Sequence, residues 1–248
     1  MAAPPVLERL VDHAALFPPA SMSLDDALAE DRRARQSPHA AILDRFVVPA
    51  AKLGELPAGE RPPALSVVLA GVEDAGLVEG ADGVEAVELV LDEPRPRPAD
   101  LLAMRRALEP LGVETYLELV LDDGWRDSVP ATIGAIAAMG GRVKLRCGGA
   151  FTPSVEQVAL VIASCREARV PFKCTAGLHH AVRRREDHGF LNILAATTAP
   201  GGGIESVLAE EDAAALDVAD ADRELFVGFG SCSWEEPVDD LVELGLLS

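Results

Sequence analysis

Apolar residues along the chain come in short blocks separated by turn residues, and eight of the blocks have the length and β-branched content of strands. They are RFVVPA from Arg45, LSVVLAG from Leu65, VEAVELVL from Val84, ETYLELVL from Glu114, RVKLRCGG from Arg142, PFKCTAG from Pro171, FLNILAA from Phe190 and LFVGFGSC from Leu225. Between them lie segments of helical periodicity, among them PADLLAMRRALEPLG from Pro98 and PSVEQVALVIASCREA from Pro153. Strand alternating with helix predicts a parallel sheet joined by right-handed crossovers. Eight such units in 248 residues predict an α/β fold, a (β/α)8 TIM barrel over residues 45–248. An open doubly wound sheet fits less well, because the first strand runs into PAAKLGEL and not into a Gly-rich phosphate loop. VELVLDE at Val87 returns as LELVLDD at Leu117, as repeated βα units would give. Residues 1–44 are expected to form a helical extension, a helix and a second helix joined by a Pro-rich loop, that covers one barrel end within a single domain of residues 1–248.

A net charge of −19 disfavours nucleic acid and anionic membrane as partners, since both are polyanionic. The longest apolar run, LSVVLAGV, is far too short to span a bilayer, and the opening MAAPPVLERL has no signal-peptide pattern, so a cytoplasmic protein is expected. Cys147, Cys165, Cys174 and Cys232 have no CxxC spacing and are expected to be reduced thiols, mostly core, with no structural metal site.

In a barrel, alternate strand residues face the interior and the others face the helices. Charged residues in the middle of otherwise apolar strands then become informative. Glu88 in the third block, Glu118 with Tyr116 in the fourth, Lys144 and Arg146 in the fifth, Lys173 and Thr175 in the sixth and Asn192 in the seventh can all point inward. Arg146 and Thr175 come nearer the C-terminal rim, where barrel enzymes place their chemistry. Only three of the twenty-two basic residues are lysine, and two of those are in this set. Unpaired buried charges are costly, so these groups are expected to compensate one another, either as an ion-pair network that fills the barrel or as a site. Three cations against two carboxylates point to a small anionic ligand, a carboxylate or phosphate ester, with Arg146 as a bidentate clamp. A desolvated lysine beside another cation can lose its proton and attack a carbonyl, and Lys144 and Lys173 on neighbouring strands are the arrangement in which one lowers the pKa of the other, with Glu118 or Glu88 to carry protons.

These residues resemble those of class I aldolase barrels, in which a sixth-strand lysine forms a Schiff base. FKCTAG is similar to that strand, so the resemblance implies a cofactor-free lyase acting on a small anionic carbonyl compound through Lys173. A second resemblance spans most of the chain. LFPPA, FKCTAGLHH, HGFLNILAA and FGSCSWEEPVDDL are similar to segments of a family of uncharacterised bacterial and plant barrel proteins, which brings no activity with it.

Two other readings stay open. Glu88 and Glu118 on adjacent strands could hold magnesium or manganese with a lysine as base, an arrangement that resembles enolase-type barrels, although Arg146 stands where their third acidic ligand would be. Alternatively, the pocket binds a small molecule without turnover. At the rim, His179 and His180 are candidates for acid, base or ligand. Ser231 and Ser233, among small residues in GFGSCSWEEP, could meet an anion, or else form a tight turn into a helix capped by Ser233. His188 is expected to be structural, His39 carries no signal, and His13 adjoins a Pro-rich loop that could lie at either barrel end. The terminal VDDLVELGLLS could dock a second copy of the chain in a homo-oligomer.

Overall fold

In the computed structural model, which describes residues 3–57 and 59–248, eight parallel strands close into a barrel in chain order, with β1 paired to both β2 and β8. The strands are β1 (Val11–His13), β2 (Leu43–Pro49), β3 (Leu65–Val68), β4 (Val84–Val90), β5 (Glu114–Glu118), β6 (Arg142–Arg146), β7 (Phe172–Thr175) and β8 (Phe226–Ser231). The helices that follow them are α1 (Leu24–Arg35), α2 (Ala75–Val78), α3 (Pro98–Leu108), α4 (Trp125–Ala138), α5 (Val155–Ala168), α6 (Phe190–Ala196), α7 (Ile204–Ala209) and α8 (Glu235–Glu243). Among the described residues no helix is long and apolar enough to cross a membrane.

The expected TIM barrel is present, but its first strand lies inside the segment read as a helical extension. Only the second half of that segment is an α-helix, α1, which begins at an N-cap where the Ser23 side chain accepts from Asp26 N. The strand ahead of it is three residues long, VDH, too short for any period to register. At the other end of the count, FLNILAA is not a strand but α6, and all seven of its residues are buried. A continuous apolar run of that length fits a buried strand and a buried helix equally well, and Leu and Ala favour the helix. The two errors cancel in number and shift every strand between them by one. Lys144 is therefore on the sixth strand and Lys173 on the seventh.

The outward set is apolar and fully buried. Phe46, Leu65, Val67, Val87, Leu117, Val143, Leu145, Phe172, Cys174 and Phe229 belong to the single core cluster between sheet and helices. The inward set holds the charged residues together with smaller apolar ones such as Val47 and Val68, and in β8 glycines stand beside the charges: Gly228 pairs with Lys173 and Gly230 with both Thr175 and Asp12. That missing side-chain volume leaves room for the long lysine and for a cavity above it.

The loops after β6 and β7 meet backbone to backbone. A Cβ on Gly177, which has φ +71°, would stand 2.6 Å from Gly148 Cα and 2.7 Å from the Cys147 carbonyl oxygen. Gly177→Ala is therefore expected to combine left-handed strain with a clash against rigid backbone, costing about 1–3 kcal/mol. Gly112→Ala is the control, since Gly112 has φ +67° but open space around it. Calorimetry should give the larger fall in midpoint for Gly177→Ala, and equal falls would mean that the loop contact is unimportant.

Candidate active site

Two polar layers fill the barrel. The lower one, at the N-terminal ends of the strands, is an ion-pair plug. Arg45 reaches Glu85 at 3.1 Å and Glu114 at 2.9 Å, Arg142 reaches Glu114 at 2.6 Å, and Arg9 closes from outside on Glu85 at 3.0 Å. Tyr116 forms the partition above it. Its hydroxyl donates to Glu114 at 2.9 Å, and burial pushes the phenol up to about 12, so it stays neutral.

The upper layer contains the predicted charges. Glu88 is buried, with Oε1 at 2.7 Å from Lys173 Nζ and Oε2 at 2.7 Å from Lys144 Nζ. Lys144 also lies 2.9 Å from Glu118 Oε2, and Arg146 Nε donates to Glu118 Oε1 at 2.8 Å. The sheet brings them together because Lys144 and Lys173 are direct partners across β6 and β7, and Lys144 and Glu118 across β5 and β6. Ser66 adds a hydrogen bond of 2.5 Å to Glu88 Oε1, and the Lys173 ammonium stands 5.3 Å from the centre of the Tyr116 ring.

Asp12, on β1, was missing from the sequence-derived set. Its Oδ2 is bonded to Lys173 Nζ, while Oδ1 accepts from Arg45 N at 3.0 Å. No periodic signal could have flagged it; the only clue was an acidic residue between two apolar ones and a histidine, in LVDH. Asp12 also corrects the charge count, since three cations now face three carboxylates and the excess positive charge is gone.

The balance is uneven across the layer. Burial opposes ionisation of Glu88, but Lys144 and Lys173 prevail and hold the carboxyl well below its usual range. Burial likewise works against a charged Lys173, yet Asp12 and Glu88 outweigh it and raise its pKa. Lys173 is thus a fixed ammonium. Lys144 is shared between Glu88 and Glu118, and no well-directed hydrogen bond closes on Glu118 Oε2.

Above this layer, at the C-terminal ends of the strands, opens a cavity of about 630 Å³, within the range of small-molecule sites. Glu88, Glu118, Lys144, Arg146, Lys173 and Thr175 all line it. Its roof includes Phe17, Pro18 and Pro19, which places the LFPPA loop over the site and not at the barrel bottom. His13, beside that loop, is buried facing α1 with Nε2 3.2 Å from Glu30 and Nδ1 3.4 Å from Asp31. It braces β1 against the helix.

The remaining candidates divide. His179 and Ser231 line the cavity, with His179 Nδ1 2.8 Å from Glu236 and Ser231 Oγ donating to the Ser233 carbonyl at 2.5 Å. His180 turns to Asp240 at 3.5 Å, and Ser233 forms the turn into α8, where its Oγ accepts from Glu236 N at 3.4 Å. Asn192 does not point into the barrel, because its segment is a helix. Its amide ties loops together, accepting from Arg183 N at 2.8 Å and donating to the carbonyls of Val207 and Glu210 at 2.9 and 2.8 Å. His188 is structural as expected, with Nε2 donating to the Pro153 carbonyl at 2.7 Å. Among the described residues no group of three His, Cys, Asp or Glu side chains is placed to hold a metal ion.

No model of a known protein family matches the chain, and no curated protein matches it in sequence. Solved structures do match in fold. A tetrameric deoxyribose phosphate aldolase from Aeropyrum pernix superposes with a TM-score of 0.62 at 15% identity, over 96% of this chain and 92% of that one. A structure described as QR15, an aldolase, gives 0.61 at 11% identity, over 97% of both chains. At such identities the likeness is one of fold.

Proposed function

We propose that this barrel is a lyase of class I aldolase type, in which Lys144 forms a Schiff base with a small carbonyl compound. The observation that supports it most directly is the pair of neighbouring lysines sharing one buried carboxylate beneath an open cavity. Each lysine touches two carboxylates, but Lys173 is the more buried, between Asp12 and Glu88, whereas Lys144 stands beside Glu118, whose other oxygen is taken by the half-exposed Arg146, so Lys144 is assigned the nucleophile. This exchanges the roles expected from the sequence, and it agrees with the class I pattern, since Lys144 is on the sixth strand. That the fold is shared with two aldolases adds to the reading.

In this scheme Glu118 takes the Lys144 proton and returns it when the carbinolamine loses water, because Glu88 is too strongly held as an anion to serve. The iminium then withdraws electrons from the carbon–carbon bond that breaks. No cofactor takes part. A metal on Glu88 and Glu118 would have to displace Lys144, Lys173 and Arg146 from their oxygens, which makes magnesium or manganese the weaker reading. A panel of short aldehydes and ketones with cyanoborohydride, followed by peptide mass mapping, tests the proposal. A reduced adduct should form on Lys144, whereas labelling confined to Lys52 would show only surface reactivity.

A further inference from the structure

The substrate class can be narrowed from the mouth of the cavity, on the premise that the Schiff-base reading holds. Barrel enzymes that take phosphate esters commonly seat the phosphate on the loops after strands 7 and 8 and on a helix N-terminus beside them. Here that position is spent and negatively charged. Ser231 Oγ is engaged with the Ser233 carbonyl at 2.5 Å, and Ser233 Oγ caps Glu236 N at 3.4 Å. The first turn of α8 carries Glu235 and Glu236, and Glu236 already occupies Nδ1 of His179 from the loop after β7 at 2.8 Å. Asp187 also lines the cavity.

The neighbouring strand, β6, differs. Arg146 offers only Nε to Glu118, and its side chain is 42% exposed, so both Nη groups are free to turn toward the cavity beside Gly149. A planar fork of two N–H groups matches a carboxylate in a bidentate pair. The three cations of the layer, Arg146 among them, only balance its three carboxylates, so an added anion meets the unpaired Nη groups of Arg146 and no surplus charge, and a carboxylate of one charge is less disfavoured there than a phosphate monoester of charge about −1.5 to −2. The two oxygens of Glu118 bridge Lys144 Nζ and Arg146 Nε. An anion on Arg146 therefore sits close to the carbon that Lys144 attacks.

We infer that the substrate is a short oxo acid whose carboxylate, adjacent to the carbonyl, is held by Arg146, and that phosphate esters are poor ligands of this site. Condensation joins Lys144 Nζ to the carbonyl carbon and expels the carbonyl oxygen as water. In a trapping experiment cyanoborohydride supplies the hydride that reduces the C=N bond.

The test uses the full chain with three methyl ketones that differ in one group: pyruvate, hydroxyacetone and hydroxyacetone phosphate, each with cyanoborohydride near neutral pH. Adduct formation at Lys144 is read by peptide mass spectrometry. Pyruvate is expected to label roughly 10- to 100-fold faster than either of the others, as one charge-assisted bidentate contact would give. In Arg146→Gln the ratio of pyruvate to hydroxyacetone labelling should fall to about one, and because this is a ratio within one protein, partial loss of fold does not affect it. If the phosphate ester or hydroxyacetone labels Lys144 as fast as pyruvate, or if Arg146→Gln keeps the ratio, the oxo-acid inference is overturned while the Schiff-base reading stands. If no probe labels Lys144, both fall.

Discussion

Lys144→Met is expected to remove carbonyl trapping altogether, to below about one percent of the unsubstituted protein, because a covalent nucleophile has no substitute within reach. The only other amine in the layer is Lys173. It is held by Asp12 and Glu88, is 2% exposed in its side chain, and keeps its proton. The same substitution leaves Glu88 with Lys173 and Ser66, and Glu118 with Arg146, so the fold should survive well enough to assay. Circular dichroism and elution volume provide the check. If an adduct instead persists on Lys173 in Lys144→Met, the nucleophile has been placed on the wrong strand and the assignment first suggested by FKCTAG is right. Lys144→Arg is a useful companion, since it preserves charge without a titratable amine and should be equally inert.

Much of the site was legible because parallel strands in a closed barrel bury both faces. Against blocks such as VEAVELVL and RVKLRCGG, each inward Glu, Lys or Arg breaks an otherwise apolar pattern, and the period of two then tells which of them share a face. Glu88, Glu118, Lys144, Arg146, Lys173 and Thr175 were found that way, and the structure places all six on one cavity. What failed was counting. A three-residue strand gives no period, so β1 and Asp12 went unseen, and a buried helix of seven residues has the appearance of a buried strand, so Asn192 was assigned to the interior. The consequence was chemical as well as topological. The shift by one strand put Lys173 at the sixth-strand position that Lys144 occupies, and the absent Asp12 left an excess of positive charge that the inward layer does not have. The lower plug of Arg45, Glu85, Glu114 and Arg142 is a second ion-pair network, of residues that the sequence reading did not single out, and it lies beneath the cavity.

The upper layer should also dominate stability when it is broken from one side. Lys173→Met leaves Asp12 buried and without its ammonium, and removal of one partner from a buried ion pair costs about 3–5 kcal/mol. For a chain of this size that is a fall of roughly 6–20 °C in the unfolding midpoint, at about 2–4 °C per kcal/mol. Adding Asp12→Asn removes the stranded charge, so the double variant should be more stable than the sum of the single losses requires, with a coupling of about 1–3 kcal/mol. Simple additivity would mean that Asp12 and Lys173 do not depend on each other. The pH dependence follows from the same pairing. The pKa of Glu88 is depressed in the folded state, so its contribution is present above the ordinary 4.5 and is lost as the pH falls toward the folded value. That of Lys173 is raised, so its contribution is present below the ordinary 10.5 and is lost as the pH rises through the folded value. The unfolding midpoint should accordingly stay level from about pH 5 to about pH 10 and drop on both sides, with the alkaline drop missing in Lys173→Met. A midpoint that climbs as the pH falls below 5 would contradict the ion-paired layer, because protonating Glu88 would then be stabilising the barrel.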